Sequence, residues 1–314
     1  MTLAAPALAC VAPFWAQGAH LQTLAAQYLP TPPQHLPWER LRLILEDGDA
    51  LALRVLQGTS GTVVYLFHGL GGSVEGHYMR RTAALFHGQG HTVVAVNHRG
   101  AGEGAGLAKG FYTSGSTPDV AAVLHFGRQR FPKHRHVAIG FSISANMLLL
   151  LLGRDQHLGG PDAAIAVNPP ADLEACSLRL VRGFNRVYDL YFLRRLRREL
   201  ALRPGAAFPP AARTLRIFDE LMTAPRAGFK SRLEYYTQCS CGPHLAGITV
   251  PTVILTSRDD PFAPAGDVLA CALAPAVHLH TEATGGHMGY VTANLPGHRW
   301  LDYALSHYVA ELSQ

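Results

Sequence analysis

Ile139-Gly140-Phe141-Ser142-Ile143-Ser144-Ala145-Asn146 is the stretch on which the fold turns. The run His136-Val137-Ala138-Ile139 leads into a lone serine among small residues, and the strongly apolar segment Met147 to Leu152 follows at once. That order predicts a strand, a sharp turn and a helix, the arrangement that lifts a serine hydroxyl above a sheet as a nucleophile elbow. The positions two residues either side of the serine must be small, because strand and helix approach closely there. Gly140 meets this upstream. Downstream, Ser144 stands where glycine is usual, so the motif reads G-x-S-x-S. Serine adds one small side chain, and Ala145 keeps the next position narrow. Taken alone, a structural serine in a strand-to-helix turn accounts for the stretch equally well.

Other segments change that balance. Thr62-Val63-Val64-Tyr65-Leu66-Phe67 has the composition of a buried parallel strand and delivers His68-Gly69-Leu70-Gly71-Gly72 at its end. An oxyanion hole needs backbone N–H donors aimed at charge developing on a carbonyl oxygen. One would come from Ile143, after the nucleophile, and the other from Leu70, whose flanking glycines let its peptide turn inward. His68 is placed by the strand end and reads as a residue that stabilises the loop.

Pro251 to Ser257 reads as another buried strand, followed by Arg258-Asp259-Asp260-Pro261-Phe262; Val277 to His280 suggests a last strand, followed by Gly285-Gly286-His287. A serine hydroxyl becomes a good nucleophile when an imidazole within hydrogen-bond reach takes its proton. The imidazole in turn needs a carboxylate on its other nitrogen. Ser142, Asp259 and His287 fit a catalytic triad in the chain order Ser, Asp, His, each at the C-terminal end of an expected strand, where sites of open α/β sheets gather. Counting from the strand end favours Asp259 as the acid, while Asp260, before a proline, fits a helix cap or a loop-orienting role.

The chain resembles the YheT-like α/β-hydrolases, a bacterial family related to the animal abhydrolase-domain lipases and esterases. The matching pieces are Gly18-Ala19-His20-Leu21-Gln22-Thr23, Phe67-His68-Gly69-Leu70-Gly71-Gly72, Asn97-His98-Arg99-Gly100, Gly140-Phe141-Ser142 with Asn146-Met147, Asp172 to Cys176, Asp259-Asp260-Pro261-Phe262 and Gly285-Gly286-His287. The resemblance implies an α/β-hydrolase fold, a mostly parallel sheet with helices on both faces, and a carboxylesterase-type serine hydrolase using Ser142, Asp259 and His287. Such an enzyme forms an acyl-enzyme and requires neither metal nor organic cofactor. An acyltransferase or thioesterase would use the same triad, and an inactive hydrolase fold that binds a ligand is the non-catalytic alternative.

At 314 residues, 48% of them apolar, the chain suits a single domain with a large two-sided core. Strand and helix alternate from about residue 41, with a β-hairpin over Leu41 to Leu45 and Leu51 to Leu56 and helices near Tyr78 to Gly88 and Thr117 to Arg130. Residues about 1–40 read as an N-terminal extension with prolines at 30, 32, 33 and 37. From about 171 to 245 the strand rhythm stops, and a helical cap insertion is expected. Its Phe184, Tyr188, Tyr191, Phe192, Phe218, Leu221, Met222, Tyr235 and Tyr236 suit either an apolar acyl pocket, favouring short- to medium-chain acyl groups, or the cap's own small core. The glycine-rich loop at 100–106 opens no helix directly and is not a dinucleotide fingerprint.

The net charge of +5 is concentrated in Arg179 to Arg198, where seven arginines interleave with apolar residues at a helical period. Such a helix can lie on a membrane surface, but the simpler reading is one solvated basic face. No nucleic-acid motif accompanies it. Five cysteines, an odd number, argue against a disulfide framework. Cys239 and Cys241 are too closely spaced for a zinc knuckle. Reduced thiols, a start lacking a basic signal-peptide region and the short leucine run at Leu148 to Leu152 together predict a cytoplasmic protein with no membrane span, and the resemblance implies a small-molecule ester substrate.

Overall fold

Strand β3 (Thr62–Phe67) is buried at every residue, as a central strand covered on both faces requires. It lies in an eight-stranded sheet of order β1-β2-β4-β3-β5-β6-β7-β8, with β1 (Glu39–Ile44), β2 (Ala50–Leu56), β4 (Thr92–Asn97), β5 (Arg135–Phe141), β6 (Ala163–Val167), β7 (Thr252–Ser257) and β8 (Val277–Glu282). The expected hairpin forms between β1 and β2, and β2 also runs antiparallel to β4. All other neighbours are parallel. The structure, a computed structural model, describes residues 3–30, 35–203 and 205–314. The prolines at 32 and 33, and the first two residues of the alanine-rich start, lie outside them.

Alternation along the strands divides the core in two. Val64, Leu66, Ile139 and Phe141 face one side with Met79, Phe86 and Trp300. Tyr65, Phe67 and Ala138 face the other with Val120, Leu124 and Leu148. Helix α1 (Ala19–Tyr28) precedes the sheet. The first face is covered by α2 (His77–Gly88) and a C-terminal helix, Trp300–Leu312; the second is covered by α3 (Thr117–Arg130) and α4 (Ile143–Gly153). Helix α4 is strongly apolar from Met147 onward, and Ser144 to Leu152 are all buried, as such a helix must be. Each buried leucine there contributes about 2 kcal/mol. Together they outweigh the roughly 1–3 kcal/mol of strain at the turn that starts the helix.

Between β6 and β7 the chain leaves the sheet for a helical segment that begins with α5 (Leu173–Leu180) and α6 (Arg186–Ala201) and includes the helix Arg232–Cys239. Asp172 caps α5 by accepting the Ala175 N–H at 2.9 Å. The basic stretch expected as one helix is broken: Gly183 adopts φ +51° between α5 and α6, a left-handed turn that glycine makes at little cost. The segment has its own core of Cys176, Leu180, Tyr188, Leu193 and Phe218, joined by Phe262 from the loop after β7. Among the described residues, no helix is long and apolar enough to cross a membrane.

Candidate active site

Ser142 sits between β5 and α4 at φ 55°, ψ −117°. A non-glycine residue at positive φ persists only where its surroundings impose it. Here the Ser142 N–H donates to Val167 O at 2.8 Å, and the Ser142 carbonyl accepts from Ala145 at 2.9 Å. A Cβ at position 140 would lie 2.5 Å from the Ser144 carbonyl oxygen, so only glycine fits there. Ser144, in the usual glycine position, is buried. Its hydroxyl donates to the His68 carbonyl, so it receives the Nε2–H of His98 at 2.7 Å. The extra side chain thus ties the elbow to the ends of β3 and β4.

His287 brings Nε2 to 2.9 Å from Ser142 Oγ. Its Nδ1 lies 2.7 Å from Oδ2 of Asp260, and Asp259 points elsewhere. This corrects the expected pairing. Asp259 accepts the Gly286 N–H at 2.8 Å and the Thr284 hydroxyl at 3.0 Å, so it shapes the loop that carries His287. The chain turns directly after β7, leaving Asp259 on the corner and swinging the buried Asp260 back over the sheet edge. Asp260 also accepts from Asn168 Nδ2 at 2.8 Å and from the N–H groups of Phe262 and Ala263 at 3.1 and 2.9 Å. Burial would raise its pKa, but the facing His287 and these N–H donors hold the carboxyl below its ordinary value.

Sequence reasoning missed the part played by α1. Thr23 Oγ1 accepts the His287 N–H at 2.9 Å, and Gln22 bonds both N–H and C=O of Val291, at 2.8 and 3.0 Å. A Cβ on Gly286 would lie 2.5 Å from Thr23 Oγ1. The quoted run Gly18 to Thr23 was the available signal. It is the surface on which the histidine loop rests.

On the loop after β3, the Gly69 N–H donates to Tyr78 Oη at 2.9 Å and the Gly71 N–H to Tyr112 Oη at 2.7 Å. The Leu70 N–H between them forms no bond to a described residue, and neither does that of Ile143 at the first position of α4. His68 turns into the loop, with Nδ1 2.8 Å from the Gly69 carbonyl and Nε2 accepting the His98 N–H at 3.3 Å. Burial lowers its pKa to about 4, so the ring is neutral.

Ser142 opens into a cavity of about 1000 Å³, counting space open to solvent, whose apolar walls include Leu70, Phe111, Ile143, Phe192, Phe218 and Met222. Of the other aromatic and apolar candidates, Tyr235 and Tyr236 line it, whereas Phe184, Tyr191 and Leu221 are exposed and Tyr188 packs on Phe262. Glu199 also lines it. Burial pushes that carboxyl up to about 7, against the pull of Arg203 and Arg195. Among the described residues, no group of three His, Cys, Asp or Glu side chains is placed to hold a metal ion, and all five cysteines are free.

Residues 62–293 match the family model for the α/β-hydrolase fold. The chain is 33% identical over 291 residues to a protein of Escherichia coli named "Putative esterase YheT", covering 88% of this chain and 85% of that one. It is 28% identical to a monoacylglycerol lipase of Saccharomyces cerevisiae, covering 76% of this chain and 56% of the lipase. Among solved structures, the Pyrococcus furiosus esterase Pf2001 superposes with a TM-score of 0.62 at 15% identity, covering 90% of this chain and all of that one.

Proposed function

The chain belongs to the YheT-like family of α/β-hydrolases, and from that premise we propose that it cleaves carboxylic esters through a Ser142–His287–Asp260 triad. The observation that carries this reading is the unbroken relay of 2.9 and 2.7 Å from hydroxyl to imidazole to carboxylate at the mouth of an apolar cavity. His287 Nε2 takes the Ser142 proton as Oγ attacks the ester carbonyl. The Leu70 and Ile143 N–H groups meet the charge forming on the carbonyl oxygen. Collapse expels the alcohol, which leaves with the proton from His287. Water then attacks the acyl-enzyme, with His287 again as base, and the acid departs.

Relatives named esterase and monoacylglycerol lipase support an ester substrate. The apolar cavity walls favour a short- to medium-chain acyl group. Five free thiols, four of them buried, accord with a cytoplasmic location. The test is labelling by a fluorophosphonate probe together with hydrolysis of p-nitrophenyl acetate, butyrate, octanoate and dodecanoate. Wild-type protein should label and Ser142→Ala should not. Folded protein that neither labels nor hydrolyses any of the esters sinks the proposal. Adding an alcohol acceptor and identifying the product separates hydrolysis from acyl transfer.

A further inference from the structure

Helix α6 presents two unlike faces. Phe192, Leu196, Glu199 and Leu200 turn inward to the cavity that holds Ser142. Val187, Leu190, Tyr191, Arg194, Arg197 and Arg198 are exposed. With Phe184 just before the helix, the apolar members of this outer set remain 46–52% exposed. The patch continues onto α1: the His20 ring lies 4.5 Å from that of Phe184, and Leu21 beside it is 51% exposed.

The charge next to this patch is clustered and unpaired. Several arginines elsewhere are neutralised: Arg54 by Glu75 and Glu103, Arg99 by Asp47, Asp49 and Asp119, Arg179 by Asp267, and Arg216 and Arg232 by Glu174. No carboxylate of a described residue lies within ion-pair distance of Arg194, Arg195, Arg197 or Arg198. Arg195 and Arg197 lie instead over the rings of Tyr191 and Phe208, at 5.6 and 4.7 Å.

We propose that the outer face of α6, with Phe184 and the adjoining edge of α1, docks on an anionic lipid bilayer. The apolar side chains protrude from a convex helix, suited to sinking below headgroups. The exposed guanidinium groups of Arg194, Arg197 and Arg198 beside them match lipid phosphates. A solvated basic face, the simpler reading of the sequence, leaves the exposed Val187, Leu190 and Tyr191 unexplained. Docking places the wall of the apolar cavity against a reservoir of apolar esters. The surface itself does not depend on the ester-hydrolase reading.

The test is co-sedimentation of the full chain with vesicles of ether-linked phosphatidylcholine, alone or with about a third ether-linked phosphatidylglycerol, lipids that offer no carboxylic ester to cleave. The chain should bind the anionic vesicles and be released by about 1 M salt. Replacing three arginines together (Arg194→Gln, Arg197→Gln, Arg198→Gln) should weaken partitioning about a hundredfold, roughly fivefold for each. Leu190→Glu should weaken it at least tenfold, and both variants should hydrolyse soluble p-nitrophenyl butyrate at the wild-type rate. Failure of the wild-type chain to bind anionic vesicles, or equal binding by the variants, overturns the proposal. Vesicle binding without esterase activity sinks the catalytic reading and leaves docking standing; esterase activity without vesicle binding does the reverse.

Discussion

The Asp260 carboxylate receives the Nδ1–H of His287 at 2.7 Å, leaving Nε2 free to accept the Ser142 proton. Replacing Asp260 with Asn should keep the ring in place but favour the wrong tautomer, lowering kcat about 10⁴-fold. Asp259→Asn loses only one of the contacts holding the histidine loop and should cost less than about tenfold in kcat. Turnover of p-nitrophenyl butyrate by both variants decides the assignment. The reverse order of effects would return the role to Asp259.

Thr23 holds His287 by accepting its backbone N–H. Thr23→Val removes that acceptor and should lower kcat about fivefold, the worth of one hydrogen bond, with KM nearly unchanged. Thr23→Ser, which keeps the hydroxyl, should restore the rate. A fall in melting temperature with unaltered kcat would show that Thr23 serves stability alone.

Ser144 joins three segments through one hydroxyl. Ser144→Ala leaves the His98 Nε2–H and the His68 carbonyl without it in a buried site. About 1–3 kcal/mol of stability should be lost, measurable by urea unfolding.

Met222 and Phe218 line the cavity. Met222→Trp should shorten it, cutting kcat/KM for the octanoate ester relative to the acetate by roughly tenfold or more. Equal rates across the ester series in wild type and variant would remove the cavity from the acyl-binding role.

Glu199 binds its proton more tightly folded, with a pKa of about 7, than at its ordinary 4.5. Its contribution favouring the native state is complete below the lower value and is lost as pH rises through about 7. Relative to Glu199→Gln, the urea midpoint of the wild type should therefore fall between pH 4.5 and pH 8. Parallel curves would show that Glu199 titrates normally.

What was legible in the chain and what was not divide along physical lines. Central strands such as β3 and β6, and the buried helix α4, carry their burial in composition. Their positions follow from the residues themselves. The Gly140 requirement was legible for the same reason, since close approach leaves only one residue type. The choice between Asp259 and Asp260 was not, because adjacent carboxylates differ only in which way the turn after β7 swings them. Nor was the break at Gly183, where helical periodicity on either side ran on across one left-handed residue. The aromatics between β6 and β7 kept two meanings until packing separated Phe192, on the cavity, from Tyr191, on the surface.

The hold of Thr23 on His287 joins residues 264 positions apart, and it has a consequence in time. In a chain made from its N-terminal side, α1 and the serine turn are synthesised before the imidazole that rests on α1. On the proposed triad, a nascent chain therefore carries Ser142 without its base until β8 has joined the sheet and the histidine loop has settled on α1.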